Sequence, residues 1–264
     1  MAAITARPPV DQAAPTTRDA NADLAAGSTA RDFRLWRLCT WAGVVYLVGE
    51  LVAWVGVARF VPPPRQNWSA ERIAAFYQDH EVGIRLGMEG VLIFALFYAL
   101  LSFALARVMA RVEGSNGFLW RIQLVGGIIT ALITMGCAVF WLTASLRAGS
   151  RDPRDIQTLN DVGWMVFDTT AMATIFQFVA FGAVCLYKDV RRTPLLPRWL
   201  GYLSFWAAFS FVAVYFMPSF MSGPLSWQGL ITLYVALGLF FAWIAAVIPY
   251  TLRAITRIEL EYVG

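Results

Sequence analysis

An all-α transmembrane bundle of six spans is the fold this sequence predicts, on three observations. The 264 residues are 59% hydrophobic and only 14% charged, against about a quarter charged in a soluble domain. Mean hydropathy is +0.60. Six apolar stretches follow one another, each near the ~20 residues a helix needs to cross the hydrocarbon core. Basic residues gather at the ends of these stretches rather than on a separate face, so the net charge of +4 reads as a topology signal and not as a nucleic-acid surface.

Taken in order, residues 1–30 are rich in Ala, Pro, Thr and Asp. They cannot bury enough apolar surface to offset chain ordering, so a disordered tail is expected, outside a six-helix domain over 31–264. The spans fall at 36–60, 83–107, 118–146, 162–187, 198–217 and 228–252. From Trp199 to Leu252 the chain carries no charged residue. Pro218, Gly223 and Pro224 divide that stretch into a hairpin. In lipid each backbone must satisfy its own hydrogen bonds, and spans of this length do so as helices.

The loops between spans are patterned as well. In NWSAERIAAFYQDHE (67–81), Ser69 is placed to cap a short helix with Ile73, Phe76 and Tyr77 on one face. In RDPRDIQTLND (151–161), Asp152 is the expected cap, Pro153 the first helical residue, and Ile156 and Leu159 face one way. Both are expected to lie over the outer surface as amphipathic helices.

Orientation is read from the basic residues. Arg31, Arg34, Arg37, Arg107, Arg111, Arg121, Lys188, Arg191, Arg192, Arg198, Arg253 and Arg257 fall on one side. Arg59, Arg65, Arg72, Arg85, Arg147, Arg151 and Arg154 fall on the other, diluted by acidic neighbours. Both termini are therefore expected in the cytoplasm. Lys188 is the single lysine, a bias toward Arg that favours a bacterial source and a plasma-membrane location. Cys39, Cys137 and Cys185 all lie in apolar runs, so no disulfide framework is expected.

Four stretches carry a resemblance: SAERIAAFYQDHEVGIRLGM (69–88), DIQTLNDVGWM (155–165), PRWLGYLSFW (197–206) and GPLSWQGL (223–230). The chain, from the first span to near the last, resembles an uncharacterised bacterial family of six-span integral membrane proteins. The resemblance implies the architecture and carries over no catalytic or binding residue.

Ionisable groups inside spans cost ~2.5–3.5 kcal/mol each at the helix centre and so point to a site. Glu50, Arg85, Glu89 and Asp168 are such groups, from three helices, all placed in the outer half by counting ~1.5 Å per residue. Tyr46, Glu50 and Trp54 share a face of span 1; Asp161, Trp164, Asp168 and Met172 share one on span 4. Thr130, Thr134, Cys137, Trp141 and Ser145 form a small-and-polar stripe on span 3. The candidate ligand site is Glu50, Arg85, Glu89, Asp168, Thr134, Trp141 and Trp164, open to the outer face, with Arg85 as counter-charge to the carboxylates. Against it stands a purely structural role, since ion pairs and hydroxyl stripes also fix helix packing. His80, between Asp79 and Glu81, is expected to be solvated rather than a ligand.

Haem ligation by paired histidines is excluded by the single His, and no HExxH, GxSxG or phosphate-cradling loop occurs. No cofactor or metal is expected. The bilayer is the certain partner. Three functions remain: binding or transport of a small apolar or proton-coupled solute, a membrane-embedded enzyme acting on a lipid or isoprenoid, or a non-catalytic subunit of an oligomer or membrane complex. Enzyme activity stays undecided.

Overall fold

The computed structural model describes residues 30–189 and 191–263; the tail over residues 1–29 lies outside them. Within these residues the chain is helical and contains no strand. Six helical segments are long and apolar enough to cross a membrane: Arg31–Val57, Glu81–Glu113, Leu119–Ser145, Pro153–Lys188, Arg198–Ser219 and Leu230–Glu261. They are spans 1 to 6. Each packs on the next in sequence, and span 6 returns against span 1, so the bundle closes on itself. The start of span 1 and the end of span 6 meet at one end of the bundle, where Arg37 pairs with Glu259. That end is called proximal, and the end carrying the loops 58–80, 146–152 and 220–229 distal.

The outward surface is a coat of exposed apolar side chains, including Leu38, Ile93 and Leu132, with Tyr202, Trp206 and Phe209 along span 5. An exposed face this apolar is stable against acyl chains and not against water. The protein is a multi-pass membrane protein.

Span 3 agrees at both ends with the bounds read from hydropathy, whereas spans 2 and 6 agree at one end and run past the apolar stretch at the other, to Glu113 and Glu261. The proximal ends are finished by side chains. Glu113 accepts from the backbone N–H groups of Phe118, Leu119 and Trp120 at 2.9–3.2 Å, satisfying the open donors at the start of span 3. Asp189 accepts from Leu195 N at 2.7 Å. Arg257 donates to the carbonyls of Pro194 and Thr193 at 2.7 and 2.8 Å.

At the distal end the short helix Ala70–Asp79 forms as expected, capped by Ser69, which accepts from Arg72 N at 3.4 Å. Ile73 and Tyr77 are fully buried beneath it. The second expected surface helix is different. Asp152 caps it, accepting from Arg154 N at 2.8 Å, and Pro153 opens it, but Pro153–Thr169 runs straight into the membrane as the first half of span 4. The break comes instead at Thr170–Ala171, after which Met172–Ala183 continues. The buried side chains Ile156, Asn160 and Trp164 hold the helix upright in the bundle; nothing in the local sequence between 161 and 162 interrupts it.

Apart from a π-helical turn at Val184–Lys188, departures from the α-helix gather in the distal half. Span 1 ends in a π-helical stretch, Val52–Val57. Span 5 tightens to a 3-10 stretch at Ala213–Ser219. Span 6 begins with a π-helical stretch, Leu230–Ala236. Together with the break in span 4, four of the six spans are irregular at one level of the bundle, and such irregularities concentrate at functional sites.

Candidate functional site

All six spans contribute to one internal cavity in the distal half. Tyr46, Glu50 and Trp54 come from span 1, Val91 from span 2, and Thr130, Ile133, Thr134, Cys137 and Trp141 from span 3. Span 4 supplies Phe167, Asp168, Ala171 and Thr174; span 5 supplies Phe211 and Val214; span 6 supplies Thr232, Ala236, Leu237, Phe240 and Phe241. The cavity is narrow, about 50 Å³. A few waters or a slim solute fit; a bulky ring system does not.

The lining explains itself helix by helix. Tyr46, Glu50 and Trp54 are spaced one turn apart and project from one stripe of span 1. The same rule places Thr130, Thr134, Cys137 and Trp141 on span 3. On span 4 the break at Thr170 resets the helical phase. Met172, expected on the face of Asp168, is exposed, and Ala171 and Thr174 take its place.

Glu50 and Asp168 are each 5% exposed, and Glu50 Oε2 and Asp168 Oδ2 have no hydrogen-bond partner. A carboxylate taken out of water without a partner carries a large desolvation cost. No Arg, Lys or His lines the cavity.

Arg85 is not the counter-charge. It pairs with Glu81, one turn away on the same helix, and both are only partly buried. Glu89 is exposed and, among the described residues, makes no ion pair. The physical reason is helical phase. Ile84, Met88, Val91 and Ala95 form the buried face of span 2, and residues 81, 85 and 89 stand on another. Depth estimates alone cannot separate two faces of one helix. His80 Nδ1 lies 3.0 Å from the Phe76 carbonyl, in the turn before span 2 and away from the cavity.

Trp164 belongs to the wall behind the site. It lies between Phe60 (ring centroids 6.1 Å, interplanar 14°) and Trp227 (5.8 Å, 11°) and meets Trp141 at 4.9 Å. With Trp54 and Phe167 these rings form a layer over the distal side of the cavity. The layer is pinned from above: Trp227 Nε1 donates to Pro64 O at 2.7 Å, and Trp227 N to Gln66 Oε1 at 3.2 Å. Tyr77 donates to Asn160 Oδ1 at 3.1 Å. Phe60, Trp141, Trp164 and Trp227 are all nearly inaccessible. The expected opening toward the outer face is therefore roofed over.

The lining divides by polarity and burial. Every polar lining residue (Tyr46, Glu50, Thr130, Thr134, Asp168, Thr174, Thr232) is buried. Ile133, Phe167, Phe211, Leu237 and Phe241, which reach the exterior of the bundle, are all apolar. Thr174, Thr232 and the phenylalanines of spans 5 and 6 were not foreseen. Between Trp199 and Leu252 spans 5 and 6 carry no charge to flag them, and their lining positions look like ordinary membrane-helix residues.

No metal can be assigned: no group of three or more His, Cys, Asp or Glu is gathered among the described residues. Fold and site define a polytopic membrane protein with an aromatic-walled, carboxyl-bearing internal cavity. Comparison with family models, curated proteins and solved structures finds no match to this chain.

Proposed function

We propose that this protein binds a small, largely apolar solute that enters the cavity sideways from the bilayer. One observation carries the reading: two buried carboxyl groups without partners face a single cavity that all six spans build. Polar groups that tie helices together elsewhere, such as Tyr98 with Gln177 and Ser102, and Trp243 with Ser204, are paired with one another. The apolar rim suits a solute concentrated in lipid, and the aromatic roof keeps water from the carboxyls. Conduction would need a path through the proximal half, whose centre is filled by Phe178, Phe181, Trp243 and Leu101. Binding is what the geometry supports. With the termini in the cytoplasm, as the basic residues suggest, the site lies in the outer half of the membrane.

Mass spectrometry of the protein released from a mild detergent tests this. The parent chain should retain a small molecule that is lost in Ala236→Phe, which fills the cavity, at equal membrane yield. A parent chain carrying no small molecule, and no stabilisation by any apolar solute in a broad panel, would sink the proposal.

A further inference from the structure

The hydrogen-bonding character of the lining points to a narrower class of occupant. The inference rests on the reading of the cavity as a binding site.

A threonine hydroxyl has one proton to donate and lone pairs to accept with. Thr130 Oγ1 donates to Gly126 O at 2.8 Å, so in its 2.8 Å contact with Thr174 Oγ1 the proton comes from Thr174. Thr134 donates to Thr130 O at 3.0 Å, and Thr232 donates to Ser226 O. Cys137 Sγ turns its proton to Thr134 O at 3.0 Å, and Trp141 Nε1 is directed at Asn160 O, 3.4 Å away. The protons of these residues are spent on the protein itself. What the threonines and Cys137 leave facing the cavity is lone pairs. To these are added the unpartnered oxygens of Glu50 and Asp168; against them stand only two donors, Trp54 Nε1 and the Tyr46 hydroxyl. The cavity thus offers an excess of acceptors and two potential negative charges, with no cationic side chain among its walls.

The walls give the second half of the argument. Trp54, Trp141, Phe167, Phe211, Phe240 and Phe241 surround the polar floor, and aromatic faces attract cations when water is excluded. A hydrated inorganic ion gains nothing from them.

We infer that the occupant is a slim organic ammonium ion, a protonated primary or secondary amine on an apolar chain, whose N–H groups are donated to Glu50 and Asp168. The N–H groups matter. A quaternary ammonium offers charge but no donor, and would leave the carboxyl and hydroxyl lone pairs unmatched.

The test is thermal stability of the full chain in nanodiscs of zwitterionic lipid, with hexylammonium, hexyltrimethylammonium, hexanol and hexanoate as probes. Hexylammonium should stabilise saturably, with half-effect at a concentration at least tenfold below that of hexyltrimethylammonium or hexanol. Hexanoate should have no effect. Glu50→Gln with Asp168→Asn should lose the hexylammonium shift; should that variant not fold, the probe series on the parent chain decides alone. Hexanol equal to hexylammonium would overturn the ammonium assignment while leaving the cavity as an apolar binding site. Sodium chloride reproducing the effect at equal concentration would overturn it in favour of a metal cation. Failure of all probes would overturn this inference, whereas loss of the binding reading itself requires that the parent chain also retain no small molecule.

Discussion

In the proximal half of the bundle, Tyr98 donates to Gln177 Oε1 at 2.8 Å, Gln177 reaches Ser102 Oγ at 3.3 Å, and Trp243 Nε1 donates to Ser204 at 2.8 Å. In the distal half, Glu50 and Asp168 are buried to the same degree and left without partners. The proximal half has its own orphan atoms, the neutral Gln123 and Thr251 among them and also Arg191 Nη1, but the Arg191 guanidinium is engaged through its other nitrogens by Asp189 and the Arg111 carbonyl. The proximal spans run as regular α-helix around a filled aromatic core, apart from a π-helical turn at Val184–Lys188. The distal spans widen, tighten or break around a gap. The difference teaches that one bundle can hold two kinds of polar burial, one that fixes helix packing and one whose partner is still to come.

Truncating a large ring in each half should show the greatest effect. Trp243→Ala, in the filled half, should cost ~3–5 kcal/mol because the hole cannot collapse. Trp141→Ala removes a ring that already borders open space and should cost roughly half as much. Equal losses by thermal unfolding would erase the distinction between the halves.

Next come the polar groups, where the sign itself should differ. Tyr98→Phe leaves Gln177 Oε1 without its donor and should cost ~1–3 kcal/mol. Glu50→Gln, by contrast, replaces an unpartnered ionisable group with a neutral one of equal size, and melting in the absence of solute should stay level or rise. A clear fall in melting temperature for Glu50→Gln would mean that Glu50 has a structural partner after all.

Close packing under the roof gives a comparable but more local test. A Cβ at Gly163 would stand 2.4 Å from Trp141 Nε1, whereas one at Gly136 would meet its nearest neighbour, Val166, at 3.7 Å. Gly163→Ala should therefore cost ~1–3 kcal/mol, and Gly136→Ala should be neutral or stabilising by up to ~1 kcal/mol. Trp fluorescence should shift in the first variant and not in the second.

The smallest effect is expected at Arg85. Its pair with Glu81 is an i,i+4 surface pair, worth only ~0.3–0.5 kcal/mol. Arg85→Met should leave stability nearly unchanged and add simply to Glu50→Gln. A large, non-additive loss would return Arg85 to the cavity as its counter-charge.

Much of this architecture is legible in the chain. Hydropathy over twenty-residue windows locates all six spans, because a backbone in lipid has no alternative to the helix. Within one span, turn spacing correctly groups Tyr46, Glu50 and Trp54, and Thr130, Thr134, Cys137 and Trp141, because neighbours on a helix face are set by 3.6 residues per turn. Met172 shows where that logic stops: the break at Thr170–Ala171 turns it outward, and only packing against the neighbouring spans decides where a helix breaks.

Charge, too, is ambiguous in one dimension. Counting residues places Glu50, Arg85, Glu89 and Asp168 in the outer half of their spans, but depth does not say which way a helix is rotated in the bundle. The rotation of span 2 is set by burial of Ile84, Met88, Val91 and Ala95, and it sends Arg85 and Glu89 away from the cavity. By itself, then, the sequence determined the six helices, the exposed apolar coat and the faces within each unbroken helix, since these follow from local periodicity and transfer to lipid. The tertiary structure decided which faces meet, where the roof closes and which two carboxyls remain without partners, because these depend on the joint packing of six helices that no single stretch of chain encodes.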